Sequence, residues 1–211
     1  EHAFNSLYAR AQTGLFTFRL QVADESIKKD DFEEADDLLK KAEAQQSTPE
    51  ADWWLEVSLR DELKSKRAQL ASARFYYLEN KVNEHIAARQ LYEAEKGLQA
   101  LIQRFQQDSA WLSAENHGKV LHLTSGKYNT AKTLEWVQIG RVKLGSGNRQ
   151  GVSEALIAAK SLLEQPQESA VMAREVFNSL RADFTDRYFS EVNALLDSVG
   201  ESQTDTAAIF R

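Results

Sequence analysis

Four histidines, His2, His85, His117 and His122, are the first candidates for metal ligation or proton transfer in this chain. His117 and His122 lie five residues apart, which on a helix turns them about 140° from each other and denies them a shared face. Neither His-Glu-x-x-His nor Glu-x-x-His occurs, so the spacings that hold zinc or a di-iron pair are missing. With no cysteine there is no thiolate ligand, no thiol nucleophile and no disulfide. The run Gly145-Ser146-Gly147-Asn148-Arg149-Gln150-Gly151 approaches a dinucleotide fingerprint but has one residue too many, and strands do not alternate with helices around it. It is read as a turn. Ser125-Gly126-Lys127-Tyr128 lacks the upstream glycine and the Ser/Thr of a phosphate loop. The acidic run from Asp30 to Asp37 lacks the alternating spacing of a calcium loop, and on a helix its carboxylates splay apart. No catalytic, cofactor-binding or metal-binding residue is assigned, and the chain is read as a non-enzyme.

Charge and aromatic side chains carry more. Residues 24–44 hold nine acids and four lysines, a local −5. Residues 117–151 hold Lys119, Lys127, Lys132, Arg141, Lys143 and Arg149 against Glu135 alone, a local +5. Patches of opposite sign steer association and set register. These six cations are the candidate groove for an acidic peptide or protein segment, set against the alternative of an ordinary solvated surface. Trp53 and Trp54 join them as candidate partner contacts. Two adjacent residues on one helix cannot both face one core, so one of the two tryptophans must be packed by a neighbouring element or a partner. Phe75-Tyr76-Tyr77 and Trp111 are open to two readings, core filling or ligand stacking.

The elements that must position these residues read as helices. Among 211 residues there are 2 prolines and 9 glycines, too few for a fold built on many tight turns. The net charge of −6 argues against broad nucleic-acid binding, and no run is apolar for the 18 residues that a membrane span needs. Phe4, Tyr8, Ala11, Leu15, Phe18 and Val22 form a heptad seam that must face another helix. Asp30 or Asp31 caps the next helix, which Glu33 and Glu34 favour at its positive end and which stops near Gln46. Pro49 starts a long helix to about Ala88, bent or broken near Asn80. A short helix over Leu91–Gln106 follows, then one from Ala110 interrupted at Gly118 and over Leu123–Asn129. Val120–Leu123 and Trp136–Leu144 are rich in β-branched and aromatic residues, and a local hairpin is the competing reading there. A short helix over Gly151–Glu164 and a long one over Gln167–Val199 complete the chain.

Phe32, Ala35, Leu39 and Ala42 sit at offsets that recur in Leu91, Ala94, Leu98 and Leu101, 59 residues on, and in Val152, Ala155, Ala159 and Leu162, 61 further. Stacked helical hairpins leave such a period. Asp30-Asp31-Phe32-Glu33-Glu34-Ala35 with Leu39 and Ala42 resembles the second helix of a tetratricopeptide repeat. Trp136, Ile139 and Gly140 are similar to the Trp-x-x-Leu-Gly of its first helix, although the distance on to Ala155 is about three residues too long and the 34-residue period is absent. The resemblance implies a right-handed stack of hairpins with a concave partner groove and transfers no catalytic residue.

The expected fold is therefore all-α. It is a short tetratricopeptide-like solenoid of stacked antiparallel hairpins, or else an irregular bundle of long helices. A single domain spans 1–200, with a structureless tail over 201–211. The expected function is a non-enzymatic protein–protein interaction scaffold without cofactors. The alternatives are a spacer or self-associating domain of an envelope-anchored protein, and a small-molecule-binding bundle. The chain begins at Glu1, read as a trimmed or processed start, so compartment stays open between envelope and cytoplasm.

Overall fold

The computed structural model describes the backbone of residues 2–209 and the side chains of residues 5–192 and of Ala194. Every regular element in it is a helix: α1 (His2–Lys28), α2 (Phe32–Gln46), α3 (Ala51–Trp54), α4 (Val57–Ala87), α5 (Leu91–Gln107), α6 (Ala114–Gly145), α7 (Arg149–Leu163) and α8 (Ala170–Ile209). No described residue is in a strand, so the hairpin considered for Val120–Leu123 and Trp136–Leu144 does not form. No described helix is long and apolar enough to cross a membrane. The chain divides into two compact units, Glu1–Leu121 and His122–Arg211.

Three turns are built the same way. Helices α1, α4 and α6 are each followed by one residue of left-handed backbone: Asp30 (φ 60°), Arg89 (φ 56°) and Gly147 (φ 72°). The next N–H reaches back five residues: Asp31 to Ser26 O, Gln90 to His85 O and Asn148 to Lys143 O, each 2.9 Å. The left-handed residue's own N–H reaches back three, to Ile27, Ile86 and Leu144, at 3.1–3.2 Å. This is the paired C-terminal cap that satisfies the last carbonyls of a helix and reverses the chain. Asp31 and Asn148 then cap the following helix, accepting from the N–H of Glu34 (3.2 Å) and of Gly151 (2.9 Å).

The turns also set the register. Asp30 to Arg89 is 59 residues and Arg89 to Gly147 is 58. Counted from them, Ala35, Ala94 and Val152 share one position, and Ala42, Leu101 and Ala159 another; all six are fully buried. The alignment of Ala155 with Ala35 is thus three residues out. A three-residue slip rotates a helix only about 60° from the correct face, which is why the pattern tolerated it. Small residues let the paired helices approach. A Cβ on Gly97 of α5 would lie 3.0 Å from Val82 of α4. One on Gly140 of α6 would lie 3.3 Å from Ala155 of α7 and 2.5 Å from Leu180 of α8.

In the first unit, Phe16, Leu20, Ala23 and Ile27 of α1 pack on Ala35, Leu39 and Ala42 of α2 and on Leu63 and Leu70 of α4. Arg19 donates to Gln45 Oε1 (2.6 Å), and Gln45 Nε2 donates to Gln12 O (2.9 Å), crossing the same hairpin. Asp24 of α1 is held by Lys28 (2.5 Å) and by Lys66 of α4, which keep its carboxyl at about 2, against an ordinary 3.8. The long helix expected from Pro49 is divided at Leu55, whose backbone is extended. The break lets Trp54 and Leu55, which one helix would splay by 100°, both enter the core. Near Asn80 the helix α4 is continuous.

In the second unit, Val137 of α6, Val152 and Ala159 of α7 and Phe177 and Leu180 of α8 form the core. The interruptions expected in α6 are absent. Asn129, at the end of the expected interruption, and Thr130 beside it are buried. Asn129 Nδ2 donates to Pro166 O (2.8 Å), and Thr130 Oγ1 accepts from the N–H of Glu168 (3.1 Å) and Ser169 (3.3 Å), just before α8. The helix expected to end at Val199 continues to Ile209. Of the tail expected over 201–211, residues 210 and 211 and every side chain lie outside the described residues.

The turns generate one prediction. Left-handed backbone costs a residue with a Cβ about 1–2 kcal/mol, offset in part by the chain entropy glycine loses on folding. Gly147→Ala therefore lowers stability by about 1 kcal/mol, and Arg89→Gly raises it by up to ~1 kcal/mol, as read from urea unfolding midpoints.

Candidate functional site

The first unit carries a small cleft, open to solvent, between α2, α4 and α5. Its lining comes from four elements: Asp36 of α2; Arg67, Leu70, Ala71 and Arg74 of α4; Arg104 of α5; and Asp108 and Trp111 of the following loop. The spacing along α4 explains the arrangement. Leu63, Arg67, Leu70 and Arg74 recur at intervals of four, three and four, so they share a face, and that face is turned inward.

The charges are closely matched. Arg67 forms a two-pronged bond to Glu43 (Nε–Oε1 and Nη2–Oε2, both 2.6 Å) and a third to Asp36 (2.6 Å). Asp36 is also held by Lys40 (2.8 Å), with Arg74 at 3.9 Å. Arg104 pairs with Asp108 at 2.5 Å. Arg74 donates to the Phe32 carbonyl, and its side chain is only 13% exposed. Burial pushes the Arg74 guanidinium down from its ordinary range, and the Arg104 charge adds to this. Burial pushes the Asp36 carboxyl up, but the Lys40 and Arg67 hydrogen bonds outweigh it and leave it below the usual range. Burial likewise opposes the Arg67 charge, and Glu43 and Asp36 more than restore it. The lining thus sets three guanidinium groups beside two carboxylates.

The residues singled out from sequence lie elsewhere. Lys119 belongs to the first unit and pairs with Glu115 (2.8 Å). On α6 within the second unit, Lys127 and Arg141 fall within about 40° of one another, while Lys132 and Lys143 lie on another side. Lys132 pairs with Glu135 (2.7 Å). Arg141 and Lys143 are exposed, and the Lys143 stem passes close over Gly151. Arg149 pairs with Glu191 and sits 5.3 Å from the Tyr188 ring. The five cations of the second unit are therefore divided between sides of α6 and the start of α7. Trp54 is buried with its edge on Phe16 (6.2 Å), and Trp53, half exposed, stacks on Tyr8 (5.8 Å). Of the histidines, His117 is buried against Phe75 (5.0 Å) and hydrogen-bonds Ser72 (3.2 Å). Among the described residues no group of three His, Cys, Asp or Glu side chains is arranged to hold a metal ion.

Sequence reading passed over Arg67, Arg74 and Arg104. The signal was present: Arg67 and Arg74 fall in register with Leu63 and Leu70, and charge on an apolar stripe implies buried partners. No protein-family model, curated protein or solved structure matches this chain.

Removing one member of a buried ion pair leaves the other uncompensated. Asp36 has a lowered folded pKa, so its pairing stabilises the fold above the ordinary 3.8 and is lost as pH falls below it. Arg67→Ala therefore costs about 2–3 kcal/mol at pH 7. As pH falls below 3.8 the deficit narrows, because protonation of Asp36 removes its pair from the wild type as well; urea unfolding at pH 7 and along an acid series measures it.

Proposed function

We propose that this chain is a non-enzymatic module that binds another protein through the surface of its helical hairpins. The observation that carries this reading is the open, charged cleft of the first unit, where one hairpin's short helix meets the next hairpin's long one. The thrice-built turn supports it, because hairpins repeated in one register are how helical solenoids, tetratricopeptide repeats included, extend a binding surface. The resemblance of Asp30–Ala42 and of Trp136–Gly140 to that family supports the same reading. With Val152 in the place first given to Ala155, the three-residue excess in the latter match is gone.

A second reading is favoured by α1. Its core face is Phe16, Leu20, Ala23 and Ile27, with Tyr8 of the heptad seam packed against it, whereas Leu15 and Phe18 of that seam are 43% and 59% exposed, with Leu7 beside them at 66%. An apolar seam left in solvent suits a spacer helix that self-associates.

The two separate experimentally. If the chain is a partner-binding module, the immobilised protein retains a defined partner that titrates to one dissociation constant. Reversal of Lys132, Arg141 and Lys143 to Glu then weakens retention if the α6 cations form the groove. If self-association is the function, sedimentation shows a dimer that Leu15→Asp with Phe18→Asp converts to monomer. A chain that is monomeric and retains no partner contradicts both.

A further inference from the structure

We propose that the cleft between α2, α4 and α5 receives one glutamate side chain of a partner segment. Its carboxylate is taken by Arg74 and Arg104, and its methylenes lie on Leu70, Ala71 and Trp111. The inference rests on the partner-binding reading above and names the chemistry recognised.

The charge count gives the sign. In and around the cleft four cations, Lys40, Arg67, Arg74 and Arg104, meet three carboxylates, Asp36, Glu43 and Asp108. Those carboxylates are already committed. Glu43 takes both prongs of Arg67, Asp36 takes Arg67 and Lys40, and Asp108 takes Arg104. Arg74 is the cation left over. It reaches a backbone carbonyl, and its nearest carboxylate contact is Asp36 at 3.9 Å. A guanidinium so recessed has lost much of its water without gaining a close counter-ion, a debt that an incoming anion settles.

The excess is a single charge, which fits a carboxylate; a phosphate dianion would overcharge walls that already hold Asp36 and Asp108. The depth selects glutamate over aspartate. The Arg74 side chain is only 13% exposed and that of Arg104 27%, so a head group has to reach inward to meet both, and glutamate has one more methylene than aspartate with which to do so. Trp111, partly exposed, supplies the flat surface for that stem.

The test uses the full chain and labelled hexapeptides of alternating Gly-Glu, Gly-Gln or Gly-Asp, followed by anisotropy, with inorganic phosphate as competitor. The Gly-Glu peptide is expected to bind at least tenfold more tightly than Gly-Gln and severalfold more tightly than Gly-Asp, with affinity falling as salt rises. Arg74→Gln and Arg104→Gln each weaken it fivefold or more. Arg60→Gln, which breaks the pair with Asp52 away from the cleft, leaves it unchanged. Arg104 is nearer the rim than Arg74, so Arg104→Gln decides the matter if Arg74→Gln fails to fold by circular dichroism. Equal binding of the Gly-Glu and Gly-Gln peptides, indifference to Arg104→Gln, or phosphate competing as well as the peptide would each overturn the proposal. Failure of the cleft differs from failure of the module. A native partner retained equally by wild type and Arg104→Gln overturns the cleft alone. If neither retains a partner, the module reading falls and the peptide titration decides the cleft.

Discussion

The structure depends on how a long helix is stopped and reversed. A helix leaves its last carbonyls without partners, and the least costly remedy is one residue of left-handed backbone followed by a residue whose N–H reaches back across the turn. Asp30, Arg89 and Gly147 do this with three different side chains and nearly the same geometry. Because each turn fixes where the next helix begins, it also fixes which residues meet across the hairpin. The fully buried positions Ala35, Ala94 and Val152 follow from the turn and not from their own chemistry. Small residues at these crossings let the backbones close up, and larger ones around them fill the core.

Packed hairpins create interior positions that are not wholly apolar. In α4, Arg67 and Arg74 occupy places in an otherwise leucine-bearing stripe. Such places carry a large desolvation cost that only close carboxylates offset. For Arg67 the offset is complete, with Glu43 and Asp36 both at 2.6 Å. For Arg74 it is partial, because Asp36 is shared with Arg67 and Lys40. The contrast between two arginines seven residues apart on one helix is what turns a gap between hairpins into a site with a preference for charge.

Much of the helical layout was legible in the sequence, because amphipathic periodicity and caps are local signals. The span of α5 and the end of α2 needed nothing beyond those. The errors occurred where tertiary contacts overrule local preference. The threonines and asparagine of α6 look like loop residues until Asn129 and Thr130 are seen to bond Pro166, Glu168 and Ser169. The break at Leu55 has no proline or glycine to announce it and exists because two large side chains share one core. The register of the third hairpin was misread because helix faces three residues apart overlap, and only the left-handed turn distinguishes them. The cleft was illegible for a related reason: its lining is drawn from four elements, and which arginine lacks a close counter-ion depends on distances that spacing alone does not give.

The bond from Thr130 to the start of α8 has a consequence for how the second unit comes apart. A helix usually frays from its ends one residue at a time, since its own cap is local. Here the acceptor for the amides of Glu168 and Ser169 sits in the middle of α6, a different helix. The first turn of α8 cannot loosen without pulling away from α6, and α6 cannot shift without stranding those two amides. Gradual melting from that end is thereby replaced by a concerted opening of both helices, which makes the clasp a source of cooperativity and not merely of strength.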